Sequence, residues 1–336
     1  MKRLYVVIPC YNEAEVLPET AKRLKVKMQA LIQGGAITPD SRVLFVDDGS
    51  KDGTWDLIQR FHGEDPLFGG LKLSHNQGHQ NALLAGLLYA KDHCDAAISM
   101  DADLQDDIEA IDAFLQAYEK GADVVYGVRS KRETDTFFKR TTALGFYRVM
   151  GLLGVEMVPN HADYRLMSQR ALEGLAQYRE VNLFLRGVVP LIGYPSAQVY
   201  YERHERFAGQ SKYPLKKMLA FAVDGITSFS IKPIRLITAL GFLIFLVSLV
   251  VLLYTLCTKL FGYTVDGWAT ILGSIWMIGG IQLLCLGVIG EYIGKIYRET
   301  KARPRSVSYT HLGQIGSKVV CFSPKSARLF YYTLFF

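Results

Sequence analysis

The chain has 336 residues, half of them hydrophobic and 21% charged, with a formal net charge of +6. That length admits one large domain or a domain with an appendage. Five scattered cysteines without a CxxC pair argue against a disulfide framework or a zinc site, and no aromatic-basic motif points to nucleic acid.

Met1 leads straight into the strand-like Leu4–Ile8, so no signal peptide is expected. Further strands are predicted at Val43–Val46, Leu71–Leu73, Ala96–Met100 and Val124–Tyr126, with helical patterns near 14–33, 53–62, 78–92 and 107–120. Short apolar strands alternating with amphipathic helices predict βαβ units. The expected class is therefore α/β, a mostly parallel sheet covered on both faces. Ligands of such sheets gather at the carboxyl ends of the strands. Three polar clusters fall there: Pro9-Cys10-Tyr11-Asn12-Glu13, Asp47-Asp48-Gly49-Ser50 and Asp101-Ala102-Asp103.

Asp101 and Asp103 are two apart where the chain leaves a strand, so both carboxylates can face the crevice. Hard oxygen ligands suit Mg²⁺ or Mn²⁺, and Gln105 adds a neutral oxygen at the next alternate position. Asp106 and Asp107 fit the blander role of helix N-terminal charges. In Asp47–Thr54 the glycines permit a tight turn. Asp48 is the expected functional acid, able to accept hydrogen bonds from a base or ribose, while Asp52 caps the following helix.

From about 131 to 230 the pattern is less regular. Phe137–Leu153 and Tyr213–Phe229 mix apolar and basic residues. They read equally as interfacial helices along a membrane or as amphipathic helices packed on the domain. Two uncharged segments follow, Leu236–Cys257 and Gly267–Gly290. As helices each spans roughly 33–36 Å, enough for a ~30 Å hydrocarbon core. Thr258–Asp266 joins them into a hairpin. Lys212, Lys216, Lys217, Lys232 and Arg235 precede it and Lys295, Arg298, Lys301, Arg303 and Arg305 follow, which places both ends in the cytoplasm. The expected organisation is a domain over 1–230, a hairpin over 231–298 and a tail over 299–336, patternless and with no assigned role.

Val7–Glu13, Val46–Ser50 and Asp101–Gln105, in that order, resemble the signature of inverting family-two glycosyltransferases with the Rossmann-like GT-A fold. Asn76–Ala82, Asp163–Met167 and Arg206–Tyr213 narrow the resemblance to the polyprenyl-phosphate glycosyltransferases, a group that includes dolichol-phosphate mannose synthase and the bacterial bactoprenol glucosyltransferases. The hairpin and Gly290–Tyr297 match the bacterial branch, and the resemblance covers roughly residues 1–305.

The resemblance implies inverting transfer of one sugar to undecaprenyl phosphate at the cytoplasmic face of the bacterial inner membrane, by a multi-pass hexosyltransferase serving cell-surface glycan modification. Glucose from UDP-glucose is the leading donor. Mannose, a modified pentose, or a catalytically idle membrane scaffold are the alternatives. Pro9, Tyr11, Glu13, Val46 and Asp48 would contact the nucleotide, and Asp101, Ala102 and Asp103 the nucleotide sugar. Asp101, Asp103 and Gln105 would surround a divalent metal, Mg²⁺ or Mn²⁺. Arg129, Arg206 and Lys212 would bind donor or acceptor phosphates, and Arg140 the lipid phosphate. Asp103, Arg206, Lys212 and Asp163 form the expected catalytic set. Asp163 can orient the acceptor or act as a base; an unpaired carboxylate there would repel phosphate, so pairing with Arg165 is expected. The implied partners are a nucleotide sugar, the polyprenyl phosphate and the membrane, with room for a homo-oligomer.

Overall fold

In a computed structural model of the chain, the described residues are 2–129, 161–178, 185–202, 268–301, 306–312, 318–322 and 330–333, with parts of 234–250. The chain divides into two compact units. One comprises Met1–Tyr147, Glu156–Tyr213 and Ala302–Phe336, the other Arg148–Val155 and Pro214–Lys301. The tail, Ala302–Phe336, belongs to the first unit.

Five strands form where short apolar runs predict them: β1 (Leu4–Cys10), β2 (Arg42–Asp47), β3 (Phe68–Leu73), β4 (Ala96–Ser99) and β5 (Val124–Arg129). Helices α1 (Leu17–Gln33), α2 (Thr54–Glu64), α3 (His79–Lys91) and α4 (Ala110–Glu119) alternate with them. Two strands escape the sequence pattern, β6 (His161–Ser168) and β7 (Ser196–Tyr201), together with helices α5 (Gln169–Gln177) and α6 (Leu185–Leu191). Strands β8 (Ser306–Leu312), β9 (Lys318–Phe322) and β10 (Phe330–Thr333) come from the tail. All ten join one sheet in the order β10-β9-β8-β3-β2-β1-β4-β6-β5-β7. Strands β1 to β5 and β7 share one direction; β6 runs antiparallel between β4 and β5, and the tail strands add antiparallel pairs outside β3.

Continuous burial of Val6, Val7 and Ile8 in β1 and of Val43 to Val46 in β2 is what a sheet covered on both faces demands. Helix α1 begins with a proline in its first turn and buries Leu17, Leu24, Met28 and Leu31 on one stripe. Lys27 on that stripe reaches Glu109 at 2.5 Å and Asp112 at 2.6 Å, tying α1 to α4. Helix α3 packs so closely on the sheet that a Cβ on Gly86 would lie 2.4 Å from Val7 Cγ1 and 2.7 Å from Val46 Cγ2. Only glycine fits there.

In the second unit, helix α7 (Trp268–Lys301) runs 34 residues. Its apolar side chains Ile271, Ile275, Met277, Leu283, Leu286, Ile293 and Ile296 are exposed. Within it, Met277–Lys301 is the one stretch among the described residues long and apolar enough to cross a bilayer. Every described residue between 234 and 250 is helical. Phe137–Leu153, Tyr213–Phe229 and the loop Thr258–Asp266 lie outside the described residues.

Candidate active site

The sheet sets the site out in a line. At the carboxyl edge of the parallel strands, the order β2, β1, β4, β6, β5 brings together the loops carrying Asp48, Pro9–Glu13, Asp101–Asp103, Asp163 and Arg129. Asp163 belongs to this edge because β6 enters the sheet there. The register puts Ser99 opposite Arg165. Continued two residues, it sets Asp163 across from Asp101.

On the β2–β1 side the loops are sewn together through backbone amides. Ser50 Oγ accepts from the Asn12 amide at 3.0 Å, Asn12 Oδ1 from the Lys51 amide at 2.9 Å, and Thr54 Oγ1 from the Glu13 amide at 3.0 Å. Asp52 takes the amides of Thr54 (3.1 Å) and Ala14 (3.2 Å), so it does hold the first residue of α2. Asp48 accepts from the amides of Gln77 (2.7 Å) and Gly78 (2.9 Å), one on each carboxylate oxygen. It is 3% exposed, and burial raises its pKa against the pull of those two amides. Its first task is therefore to fix the turn before α3. Gly49, at φ 66°, lets that turn approach; a Cβ there would sit 2.7 Å from the Asn76 nitrogen. Tyr11 is exposed and Glu13 half-buried, whereas Pro9 and Val46 are buried.

At the centre, Asp101 remains about one-third exposed and Asp103 is nearly buried. Burial pushes the Asp101 carboxyl up to about 6; His79 opposes this, and Asp106, Asp163 and Asp103 add to it. Asp103 Oδ1 accepts from the Gln105 amide at 3.1 Å, and Thr20 Oγ1 donates to the Ala102 carbonyl at 2.9 Å, which holds the loop on α1. Leu104 between them adopts φ 58°, and Asn12 φ 53°; these are the two non-glycine residues with positive φ among the described residues. A bulky residue in the left-handed region costs of order 1–3 kcal/mol and persists only where surrounding contacts impose it. Asn tolerates that region, so the strain belongs to Leu104, in the loop between Asp103 and Gln105.

Among the described residues no three His, Cys, Asp or Glu side chains gather as a metal cage. Two carboxylates and one amide instead suit a hard cation that completes its shell with substrate phosphates and water. The donor set fits a divalent ion in that form.

The β6–β5 side is built from charge pairs. Asp163 Oδ1 accepts from Arg165 Nη2 at 2.6 Å and Arg186 Nε at 3.2 Å, and Oδ2 from Arg186 Nη2 at 3.1 Å. Against the burial that opposes ionisation, Arg186 and Arg165 hold the Asp163 carboxyl well below the usual range. His79 Nε2 lies 3.5 Å from Asp101 Oδ1 and 3.9 Å from Asp163 Oδ2, one imidazole between the two carboxylates. Arg129 donates from Nε to Tyr201 Oη at 3.3 Å and from Nη2 to Asp106 Oδ1 at 3.4 Å, while the Tyr201 hydroxyl donates to the same Asp106 oxygen. Asp106 is 2% exposed, and its Oδ2 is a buried oxygen without a hydrogen-bond partner among the described residues. The helix-terminal reading of Asp106 is thus corrected: it faces inward as the counter-charge of Arg129. Asp107 keeps the local role, accepting from the Glu109 amide at 2.9 Å.

Arg140, Arg206 and Lys212 lie outside the described residues. Sequence reasoning assigned nothing to Arg186, His79 or Tyr201. His79 stood inside a quoted motif, but Arg186 gives no local signal, because its partner is 23 residues away.

Residues 5–175 match the family described as Glycosyl transferase family 2, and residues 232–296 match the GtrB C-terminal hairpin. The Bacillus subtilis protein named "Uncharacterized glycosyltransferase YkoT" is 56% identical over 302 residues, 90% of either chain. The bactoprenol glucosyl transferase of Shigella phage SfX is 38% identical over 90% of this chain and 97% of its own. The prophage bactoprenol glucosyl transferase homolog of Escherichia coli K12 is 37% identical over 91% and 98%.

Proposed function

The chain belongs to glycosyl transferase family 2 and carries the GtrB C-terminal hairpin, and from that premise we propose that it moves glucose from UDP-glucose to undecaprenyl phosphate with inversion. The observation that carries this reading is the line of side chains at one sheet edge, acids at its centre and cations on the side away from the nucleotide loops. The choice of sugar and lipid follows the likeness to the bactoprenol glucosyl transferases.

An oxygen of the lipid phosphate bonds to the anomeric carbon as the bond from that carbon to the diphosphate oxygen breaks, and UDP departs. The second pKa of a phosphomonoester is near 6, so the nucleophile is already largely ionised at pH 7 and needs no strong base. Asp163, held ionised by two guanidiniums, is a poor proton acceptor and serves to orient them. A divalent cation, Mg²⁺ or Mn²⁺, held by Asp101, Asp103 and Gln105, would neutralise charge on the departing diphosphate. Tyr11 and Glu13 line the nucleotide end, with Asp48 fixing the turn beside it. Arg129, together with Arg206, Lys212 and Arg140, supplies positive charge for the phosphates, and positioning plus electrostatics supply the rate. Segments 236–257 and 267–290 cross the membrane as a hairpin, with the sheet and both chain ends on the cytoplasmic side.

Membranes containing the chain, supplied with undecaprenyl phosphate and a panel of labelled nucleotide sugars, test the proposal. Labelled lipid from UDP-glucose alone is the expected result, lost in Asp103→Ala. If no donor labels lipid, the reading fails.

A further inference from the structure

We infer that Asp106 and Tyr201 are positioning residues, a bracket that aims the Arg129 guanidinium at the phosphate of the acceptor. This rests on the transfer reaction proposed above.

The three side chains close a ring of hydrogen bonds. Arg129 donates from Nε to Tyr201 Oη at 3.3 Å and from Nη2 to Asp106 Oδ1 at 3.4 Å, and the Tyr201 hydroxyl donates to that same Oδ1. Two nitrogens of one planar fork are thereby held, which sets the plane of the guanidinium. Nη1 makes no hydrogen bond among the described residues and is the end left for a ligand. The Arg129 side chain is 25% exposed against 1% for Asp106. What the bracket supplies is direction and not surplus charge, since Asp106 and Asp101 both act on Arg129. A fork aligned in this way suits phosphate oxygens better than a mobile lysine would.

Each member is placed by a different part of the fold. Arg129 and Tyr201 are register partners at the ends of β5 and β7. The Tyr201 ring stands edge-on to Tyr164 of β6, with centroids 5.3 Å apart at 89°. The Tyr164 hydroxyl donates to the Asp107 carbonyl at 2.9 Å, which ties the loop carrying Asp106 to β6. Stability alone does not account for Asp106. Its Oδ2 is buried without a partner among the described residues, and a carboxylate left so destabilises a fold. The oxygen that is engaged is the one that holds Arg129 and Tyr201.

The strand order decides which phosphate Arg129 meets. The nucleotide loops follow β2 and β1, and the acids that face the diphosphate follow β4. In an inverting displacement the nucleophile approaches from the side opposite the leaving group. That side is β6 and β5, and Arg129 ends β5.

The test compares the full chain in membranes or detergent with Asp106→Asn, Tyr201→Phe, Arg129→Gln and Arg129→Lys. The doubles Asp106→Asn/Arg129→Gln and Tyr201→Phe/Arg129→Gln complete two cycles. KM for undecaprenyl phosphate and for UDP-glucose are measured separately, and binding of dodecyl phosphate to the UDP-loaded protein gives a readout that needs no turnover. Asp106→Asn is expected to raise the acceptor KM and weaken dodecyl phosphate binding by about fivefold or more, and Tyr201→Phe by about threefold. UDP affinity should change less than about twofold in both. Once Arg129 is Gln, either change should add less than about twofold, because nothing remains to be aimed. Arg129→Lys keeps the charge but not the fork, so its acceptor KM should stay raised. Should Asp106→Asn fail to fold, Tyr201→Phe, which keeps the ring in place, carries the cycle alone.

Four results overturn the inference. The acceptor constants could hold their wild-type values in both Asp106→Asn and Tyr201→Phe, or their losses could persist undiminished in the Arg129→Gln background. UDP affinity could fall in place of acceptor affinity. Arg129→Lys could match wild type, which would make charge sufficient without aim. A wild-type protein that shows the coupling in dodecyl phosphate binding yet labels no lipid would sink the proposed reaction and leave the bracket standing.

Discussion

The two flanks of the crevice are held by different kinds of bond. On the β2–β1 flank, Asp48, Asp52, Ser50, Thr54 and Asn12 spend their side-chain oxygens on backbone amides of neighbouring loops. On the β6–β5 flank, Asp163 and Asp106 spend theirs on Arg165, Arg186, Arg129 and Tyr201. Amide bonds fix the shape of a loop and leave its net charge to the ligand. Paired ions set a field, and here two arginines share Asp163. The first flank suits a ligand recognised by outline, the second one recognised by charge.

The sharpest way to break that contrast is Asp163→Ala. It strands the buried Arg165 guanidinium and should cost about 3–5 kcal/mol in chemical denaturation. A loss below 1 kcal/mol would show that water already screens the pair. The sign with pH follows from the depressed carboxyl. Its contribution is complete above the unfolded value near 4 and fades as pH falls through the folded one, so wild type and Asp163→Asn should converge in acid.

Next in size is Asp48→Ala, which leaves two amides unpaired at about 1–3 kcal/mol for each that stays dry. Isothermal titration should register weaker UDP binding with an unchanged acceptor KM; the reverse pattern would erase the division between flanks. Asp101 tests the seam between them. A carboxyl pushed up to about 6 binds its proton more tightly when folded, so protonation favours the folded state as pH falls from 6 towards 4. A cation needs the ionised form, and Mn²⁺ affinity should drop about tenfold per pH unit below that point. Flat affinity between pH 7 and 5 would contradict it. The smallest effect belongs to Tyr201→Phe, which removes the hydroxyl shared by Asp106 and Arg129 at about 0.5–1.5 kcal/mol. It should move the acceptor KM and spare the donor's.

The first flank was largely legible in the sequence, because apolar runs such as Val43–Val46 end in clusters of Asp, Gly and Ser that can only lie at a strand edge. The second was not. Strand β6 reads His-Ala-Asp-Tyr-Arg-Leu-Met-Ser, and a strand containing Asp and Arg looks like a surface loop until Arg165 is seen to be 1% exposed. Its burial depends on Asp163 and on Leu185, one nearby and one on another element. Asp106 misled for the same reason: adjacency to a helix start suggested a cap, while its partners come from β5 and β7. The tail strands escaped notice because β8 pairs with β3, more than 230 residues earlier, and β9 and β10 add on behind it.

Strand β5 has a property with consequences for how the chain reaches this state. Both its neighbours in the sheet, β6 and β7, come later in sequence. Strands β1 to β4 can pair among themselves as soon as about a hundred residues exist, but β5 has nothing to pair with until residues 161–168 arrive and no second partner until 196–201. During synthesis the amino-terminal part of a chain is free to fold before the rest exists. The β2–β1 flank can therefore pair first, and the charged flank last. Pulse-labelled hydrogen exchange should find amides of β1, β2 and β4 protected before those of β5. A cell that halts this protein midway through synthesis would hold a fragment with the β2–β1 loops in place and no Arg165 or Arg186 to meet Asp163.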